Sequence, residues 1–572
     1  MRRWLPSHLM LVLSLIAIVG CAPQQTSRGG SQSSPVPTAQ RESRPLSVVL
    51  RIEPFDITDT ASSRNNFGKN LFGTGLVNLD RDENPYPVLI EAVPRLNSES
   101  WRVFPDGRME TTYRLKTGLT WHDGAPFTSE DVAFTRRANS VRIEWGLSVS
   151  SISPVEHRAI DEVIAADPQT VVIKWKQPYI DAANPDLRPL ARHIIEPVLD
   201  QGVAEIFGSH PYWTTEYVGL GAYRLAHWEP GAYIDGAAFE GYALGRPKID
   251  RVRLTWSGDP NATLARLLAG DADIALDQAI QFQQAVTLRR GWSGEGKGTV
   301  LLRASQIRQL QAQHRPAYAN PAVVLDARFR RATAHAIDRQ AVADAMLEGE
   351  GEAAETIAPG SVSFHSEIER VVPMYPFDVR RTEQLLGEIG IVKGPDGVYV
   401  SPTEGRLTPE IMGIAEGQEG QETTIVADFM KRAGFDSPLR LVPAALINQS
   451  DETKATYPAW RTNYTGANRS MSAERQLGSR VSAPENRWGG TNKTGWNNPE
   501  HDRLYETWTR TLDRDERTRL IVQIIKLTNE ELPYIPLYFN MEVVAHVGAL
   551  QGPYRPAIES TPYENIHMWA WK

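Results

Sequence analysis

The chain has 572 residues, more than a single hydrophobic core serves, so two or three domains are expected. Apolar residues make up 41%, enough for a soluble globular fold, and a formal net charge of −8 lacks the basic excess that nucleic-acid binding requires. A single cysteine excludes an internal disulfide or a Cys-based metal cluster, while 15 tryptophans suit both an aromatic-walled cleft and a large core.

At the N-terminus, Arg2 and Arg3 precede a mostly apolar stretch from Leu5 to Gly20, broken by Pro6, Ser7, His8 and Ser14. Its uninterrupted part is too short for a membrane span. It ends Ile18-Val19-Gly20-Cys21, which resembles a bacterial lipobox, where the cysteine becomes the lipidated first residue of the mature protein. An ordinary secretory signal with a chance cysteine is the alternative. Residues 1–21 are thus expected to be a lipoprotein signal peptide, with lipidation at Cys21. Residues 22–45, rich in Gln, Ser, Gly, Pro and Thr, read as a flexible tether.

The β-branched run from Leu46 to Ile52 predicts a buried strand. Residues 111–137 predict a strand, a tight turn at His122-Asp123-Gly124, and a helix capped at Thr128 with Glu130 and Asp131 in its first turn. Taken alone, that stretch reads as a structural corner. Thr170 to Trp175 predicts a strand, and Gly219 and Gly221 a tight turn into a hairpin. Asn261 to Gly270 predicts a helix with Leu264, Leu267 and Leu268 on one face and a glycine stop. The polar run 303–315 fits no predicted element. Asp326 and Asp338 are expected to cap successive helices, with Phe329, Ala332 and Ala336 buried and His335 packed rather than metal-bound. Asn497-Asn498-Pro499 opens two amphipathic helices, and Pro533 to Tyr538 returns as a strand.

Several of these segments carry a resemblance. Trp121-His122-Asp123-Gly124-Ala125-Pro126-Phe127-Thr128-Ser129-Glu130-Asp131-Val132 is similar to the signature of the family 5 extracellular solute-binding proteins, the peptide receptors of ABC importers. Other family-like motifs follow in family order: Asn70 to Val77, Val218 to Gly231, Gly245 to Val252, Asp326 to Arg339, and Leu532 to Tyr538. The resemblance covers about residues 46–550 and implies an α/β, two-lobed, periplasmic-binding-protein-like clamp of class II type with an extra domain. It also implies hinge closure over a solute and docking on a membrane permease. The expected partition is 46–80, 210–305 and 535–572 for lobe I, 81–209 for the extra domain, and 306–534 for lobe II.

In the family, a Trp-x-x-Asp-Tyr stretch holds the ligand's α-amine. Here it reads Trp460-Arg461-Thr462-Asn463-Tyr464, so the acid is replaced by an amide that supplies no charge. The resemblance makes Trp460, Arg461, Asn463, Tyr464, Trp488, Tyr538 and the loop at Thr60, Ala61 and Ser62 candidate ligand contacts. Arg461 and Arg469 are read either as contacts for a ligand carboxylate or phosphate or as surface residues. Trp488 and Trp496 are read either as stacking walls or as core.

The expected function is capture of a peptide or peptide-like solute by a monomeric, lipid-anchored receptor on the outer face of a bacterial membrane. No cofactor, metal or catalytic residue is expected. A non-peptide solute (sugar, metal chelate, opine-like or anionic compound) and a ligand-sensing lipoprotein remain open alternatives. A cell-envelope hydrolase is disfavoured: Lys-Thr-Gly occurs at 116–118 and 493–495, but no Ser-x-x-Lys accompanies it.

Overall fold

Two long strands tie the molecule together. In the computed structural model, which describes residues 44–58, 66–147, 154–292, 296–466, 470–555, 557 and 560–572, Gly298–Ala312 and Tyr534–Val547 pair antiparallel at the middle of a ten-stranded sheet. Beyond Tyr534–Val547 come, in order, Ile274–Ala275, Leu46–Leu50, Arg251–Trp256, Tyr233–Ala238 and Tyr223–Glu229. Beyond Gly298–Ala312 come Trp460–Gly466, Ile411–Ile414 and Leu439–Val442. The flanking strands attach at opposite ends of the central pair. Ile274 and Ala275 pair with His546 and Ala545, whereas Trp460–Gly466 pairs with residues 306–312. Between these ends the register slips at Ala304/Gln306, leaving Ser305 unpaired. Two chain segments thus carry the sheet from one lobe to the other, and a bulge bends them where they cross.

The stretch that fitted no predicted element is therefore a hinge strand. Its polarity concealed it. Arg308, Gln309, Gln311 and Gln313 are all buried, because the strand is covered on both faces; Arg308 bonds Glu422 and Gln313 bonds the Ala455 and Tyr457 carbonyls inside the protein. Sequence alternation marks only strands with one wet face.

Lobe I is a strand–helix–strand layer. Leu46–Leu50 lies parallel to both Arg251–Trp256 and Ile274–Ala275, with the helix Pro260–Ala269 between the latter two in sequence. Gly270 ends that helix in the left-handed region (φ 79°). Leu267 is buried, but Leu268 is 52% exposed, so the apolar face is narrower than its three leucines predict.

The extra domain is a four-stranded antiparallel sheet in the order Trp101–Val103, Met109–Arg114, Thr170–Trp175, Ile160–Asp167, with helix Ser129–Glu144 packed on it. It has no core of its own: Tyr113, Trp121 and Trp175 belong to the same apolar cluster as Val48, Phe72 and Tyr223 of lobe I. The WHDG turn makes the join. The His122 amide donates to the Gly219 carbonyl at 3.1 Å, its Nδ1 accepts from the Gly219 amide at 3.2 Å, and its Nε2 meets the Gly221 carbonyl at 3.1 Å. The Gly221 amide in turn donates to the Phe72 carbonyl at 3.0 Å. A Cβ at Gly219 or Gly221 would collide with the backbone carbonyls of Phe72 or Leu71. The signature is a structural corner that docks one domain on the other.

Lobe II has two large apolar clusters, one on each face of the hinge sheet, and a small third one at Met412, Ile447 and Tyr457. Leu310, Trp460, Ile535 and Tyr538 pack with the helix Gly417–Ala433 through Val426 and Met430. Ile307, Tyr534 and Phe539 pack with Pro499–Arg510 and Arg514–Glu531 through Trp508, Ile521 and Ile524. Asp326, Asp338 and Asn498 cap their helices, accepting from Arg328, Ala341 and Glu500 amides at 2.8, 3.0 and 2.9 Å. Phe329, Ala332 and Ala336 are buried, and His335 bonds the Pro376 carbonyl at 2.7 Å. Among the described residues, no helix is long and apolar enough to cross a membrane.

Candidate functional site

A cleft separates the lobe I side from lobe II on the hinge face that carries Ile307 and Phe539. It consists of three adjoining cavities of about 330, 360 and 520 Å³. The first and second share Leu79, Ile180, Asp181, Asn184 and Trp508. The second and third share Asp82, Glu83, Ser363, Phe364 and Arg514. At the outer end the two sides touch, with the Ile180 amide donating to the Thr509 carbonyl at 3.2 Å. At the inner end the cleft reaches Arg303 and Ala304 of the hinge strand.

Charge is distributed unevenly along it. The outer chamber is walled by Tyr179, Tyr505 and Trp508 and holds four carboxylates, Glu156, Asp181, Asp186 and Glu474, with neither Lys nor Arg in its lining. Glu156 is 3% exposed and accepts the Asp186 amide at 3.0 Å. Burial, and then the neighbouring Asp186 and Asp181, push its pKa well above the usual carboxylate range. Glu474 is paired with Arg480 at 2.8 Å. Toward the hinge the balance reverses: Arg81, Arg303, Arg514 and Arg555 face Asp82 and Glu83. Arg303 is committed there, to Glu542 at 2.7 Å and to the carbonyls of Ala557 and Ser560 at 2.6 and 2.9 Å.

The residues expected to contact ligand do not gather in this cleft. Trp460 is fully buried and stacks on Phe329 in lobe II. Tyr538 is fully buried, donating to Glu422 Oε2 at 2.7 Å beside the Arg308–Glu422 ion pair. Burial lowers the pKa of Arg308, but Glu422, together with Tyr538 and Glu419, more than offsets it and holds it above the usual arginine range. Arg461 is 5% exposed and donates to the Lys454 carbonyl, so it is neither on the surface nor in the cleft. Asn463 is half-buried and paired with Gln309 across the strands. Tyr464 is 39% exposed but lies on the opposite face of the hinge, in a separate cavity with Gln418 and Arg308. Trp488 is half-buried against Tyr318, and Trp496 is core, edge-on to His501. Thr60, Ala61, Ser62, Arg469 and Cys21 lie outside the described residues. Sequence reading missed the outer chamber because its acids come from three distant segments, none forming a motif.

The model of the bacterial extracellular solute-binding proteins, family 5, matches residues 91–477. The chain belongs to this family. Among curated relatives, the oligopeptide-binding protein AppA of Bacillus subtilis is 23% identical over 87% of this chain and 88% of its own length. The glutathione-binding protein GsiB of Salmonella choleraesuis is 26% identical over 88% and 89%. Family 5 folds align along almost the whole chain. NikZ of Campylobacter jejuni in complex with Ni(L-His) superposes with a TM-score of 0.71 at 20% identity, covering 92% of this chain and 99% of that one. B. subtilis AppA with a nonapeptide gives 0.67 at 19%, covering 92% and 100%. The two-lobed α/β clamp is thus the family's fold, and the function at this level is solute binding outside the cytoplasm.

Proposed function

We propose that this family 5 protein is the receptor of an ABC importer, and that it captures a peptide or peptide-like solute by its amino group in the outer chamber. The observation that carries this reading is four carboxylates and three aromatic rings around one interlobe cavity with no cation in its wall. Glu156 is buried beside the like charges of Asp181 and Asp186, while Glu474 is already paired with Arg480, so an ammonium group beside the first three relieves their repulsion. The arginines at the hinge end complete the charge order of an extended zwitterion. The names of AppA and GsiB, an oligopeptide and a glutathione binder, agree with this solute class. The acids of the chamber supply the charge that Asn463 does not.

In the same reading, residues 46–80, 210–305 and 535–572 form lobe I, 81–209 the extra domain and 306–534 lobe II. The protein works as a monomer, tethered by 22–45 to a lipidated Cys21, and delivers its solute to a permease without altering it.

The test is to purify the protein natively, denature it and identify what it releases by mass spectrometry. Titration calorimetry with Ala-Ala-Ala and with its N-acetylated form follows. Released peptides, and loss of affinity of about tenfold or more on acetylation, are expected. An anionic or neutral non-peptide solute, or equal affinity for the two forms, would overturn the reading.

A further inference from the structure

Beside the outer chamber, with Asp186 in both walls, lies a pocket of about 30 Å³ enclosed by the lobe I side. Its lining includes Lys69, Arg142 and Arg188 against the single carboxylate of Asp186. Lys69 and Arg142 are each 8% exposed and engaged with other groups, Arg142 lying 4.6 Å over the Trp213 ring. Arg188 differs. Its Nη2 donates to Asn70 Oδ1 at 2.7 Å, but its Nη1 is buried and has no acceptor. The Thr74 hydroxyl, on a residue 4% exposed, also lines the pocket, within reach of the Tyr242 hydroxyl. The field of Arg188 reaches Tyr217, Tyr242 and Glu564. No ion pair joins it to Glu564, whose carboxyl burial pushes up to about 7. A buried guanidinium nitrogen with no acceptor is costly, and native proteins fill such a position with an anion or an ordered water. A space of about 30 Å³ holds two water-sized groups, the size of a carboxylate head.

We propose that this pocket is an anion subsite in which Arg188, supported by the Thr74 hydroxyl and the charges of Lys69 and Arg142, binds a carboxylate-sized group. This deepens the proposed function. A solute with its ammonium in the outer chamber and a carboxylate near that ammonium would place the carboxylate here. A free small anion has the same chemistry and is the other source.

The first measurement is crystallographic, on the full-length protein grown with sodium bromide, using bromide's anomalous scattering. A bromide at Arg188 Nη1, lost in Arg188→Gln and kept in Arg188→Lys, is expected. A water there instead, or a bromide that persists in Arg188→Gln, overturns the proposal. Arg188→Gln is also expected to melt at or above the wild-type temperature, because the unpartnered charge is gone. A lower melting temperature would mark Arg188 as structural and overturn it as well. The second measurement compares Glu-Ala-Ala with Gln-Ala-Ala by calorimetry. A preference for Glu of about tenfold, abolished in Arg188→Gln, assigns the subsite to the solute. Equal affinity with bromide bound assigns it to a free anion. If neither peptide binds, the peptide reading of the cleft fails while the bromide result still decides the subsite.

Discussion

In the proposed reading, Glu156 is a carboxyl that serves the cleft at the expense of the fold. It is buried beside Asp181 and Asp186, and its pKa is raised, so it favours the protonated form in the folded state. Its contribution to stability is greatest at low pH and falls as pH climbs above the unfolded value of 4.5. Glu156→Gln should therefore be as stable as wild type or more so at neutral pH, yet bind Ala-Ala-Ala about tenfold more weakly. Thermal melts and calorimetry on the same sample check both halves; a destabilised variant would mean that Glu156 is structural. His122 titrates with the opposite consequence. Burial lowers it to about 4 from 6.5, so the unfolded chain binds the proton more readily. The stability it confers is complete above about 6.5 and is lost as pH falls toward 4. Chemical denaturation across that window should show a decline that His122→Asn abolishes. Neither role is written in sequence, because burial and neighbours set both.

At the scale of elements, motifs that looked independent turn out to be parts of one joint. The helix end at Leu71 and Phe72, the His122 turn and the Gly219–Gly221 turn meet through backbone hydrogen bonds, closely enough to exclude a Cβ at either glycine. Gly219→Ala should cost about 1–3 kcal/mol by overpacking. Gly107→Ala would meet no atom within 4 Å and should cost only the strain of its φ of 86°. Urea melts of the two variants compare them, and an equal loss would refute the steric account. Helix caps at Asp326 and Asp338 were legible because capping is local, chemistry between a side chain and an amide two or three residues on. The hinge strand was not legible. Arg308 and Gln313 are satisfied by residues more than a hundred positions away.

For the whole molecule, the paired strands Gly298–Ala312 and Tyr534–Val547 join the two ends of the sheet. Arg303 ties one hinge strand to the other through Glu542 and to the C-terminal segment through two carbonyls, right at the bulge. Arg303→Ala should loosen that crossing, giving a larger radius of gyration by solution X-ray scattering without solute and weaker binding, while solute still contracts it. An unchanged radius would show that lobe packing, as at Ile180 and Thr509, fixes the angle instead.

By itself the sequence determined the family, several of the strands and helices, and helix ends such as Gly270, Asp326 and Asp338. These depend on spacing, capping and turn chemistry that act within a few residues. Which side chains line the cleft was decided only by the tertiary structure. Trp460 and Tyr538 lie in motifs and on strands, but a strand tells which residues share a face, and not which face another lobe covers. The chamber acids come from residues 156, 181, 186 and 474, and folding alone brings those segments to one cavity.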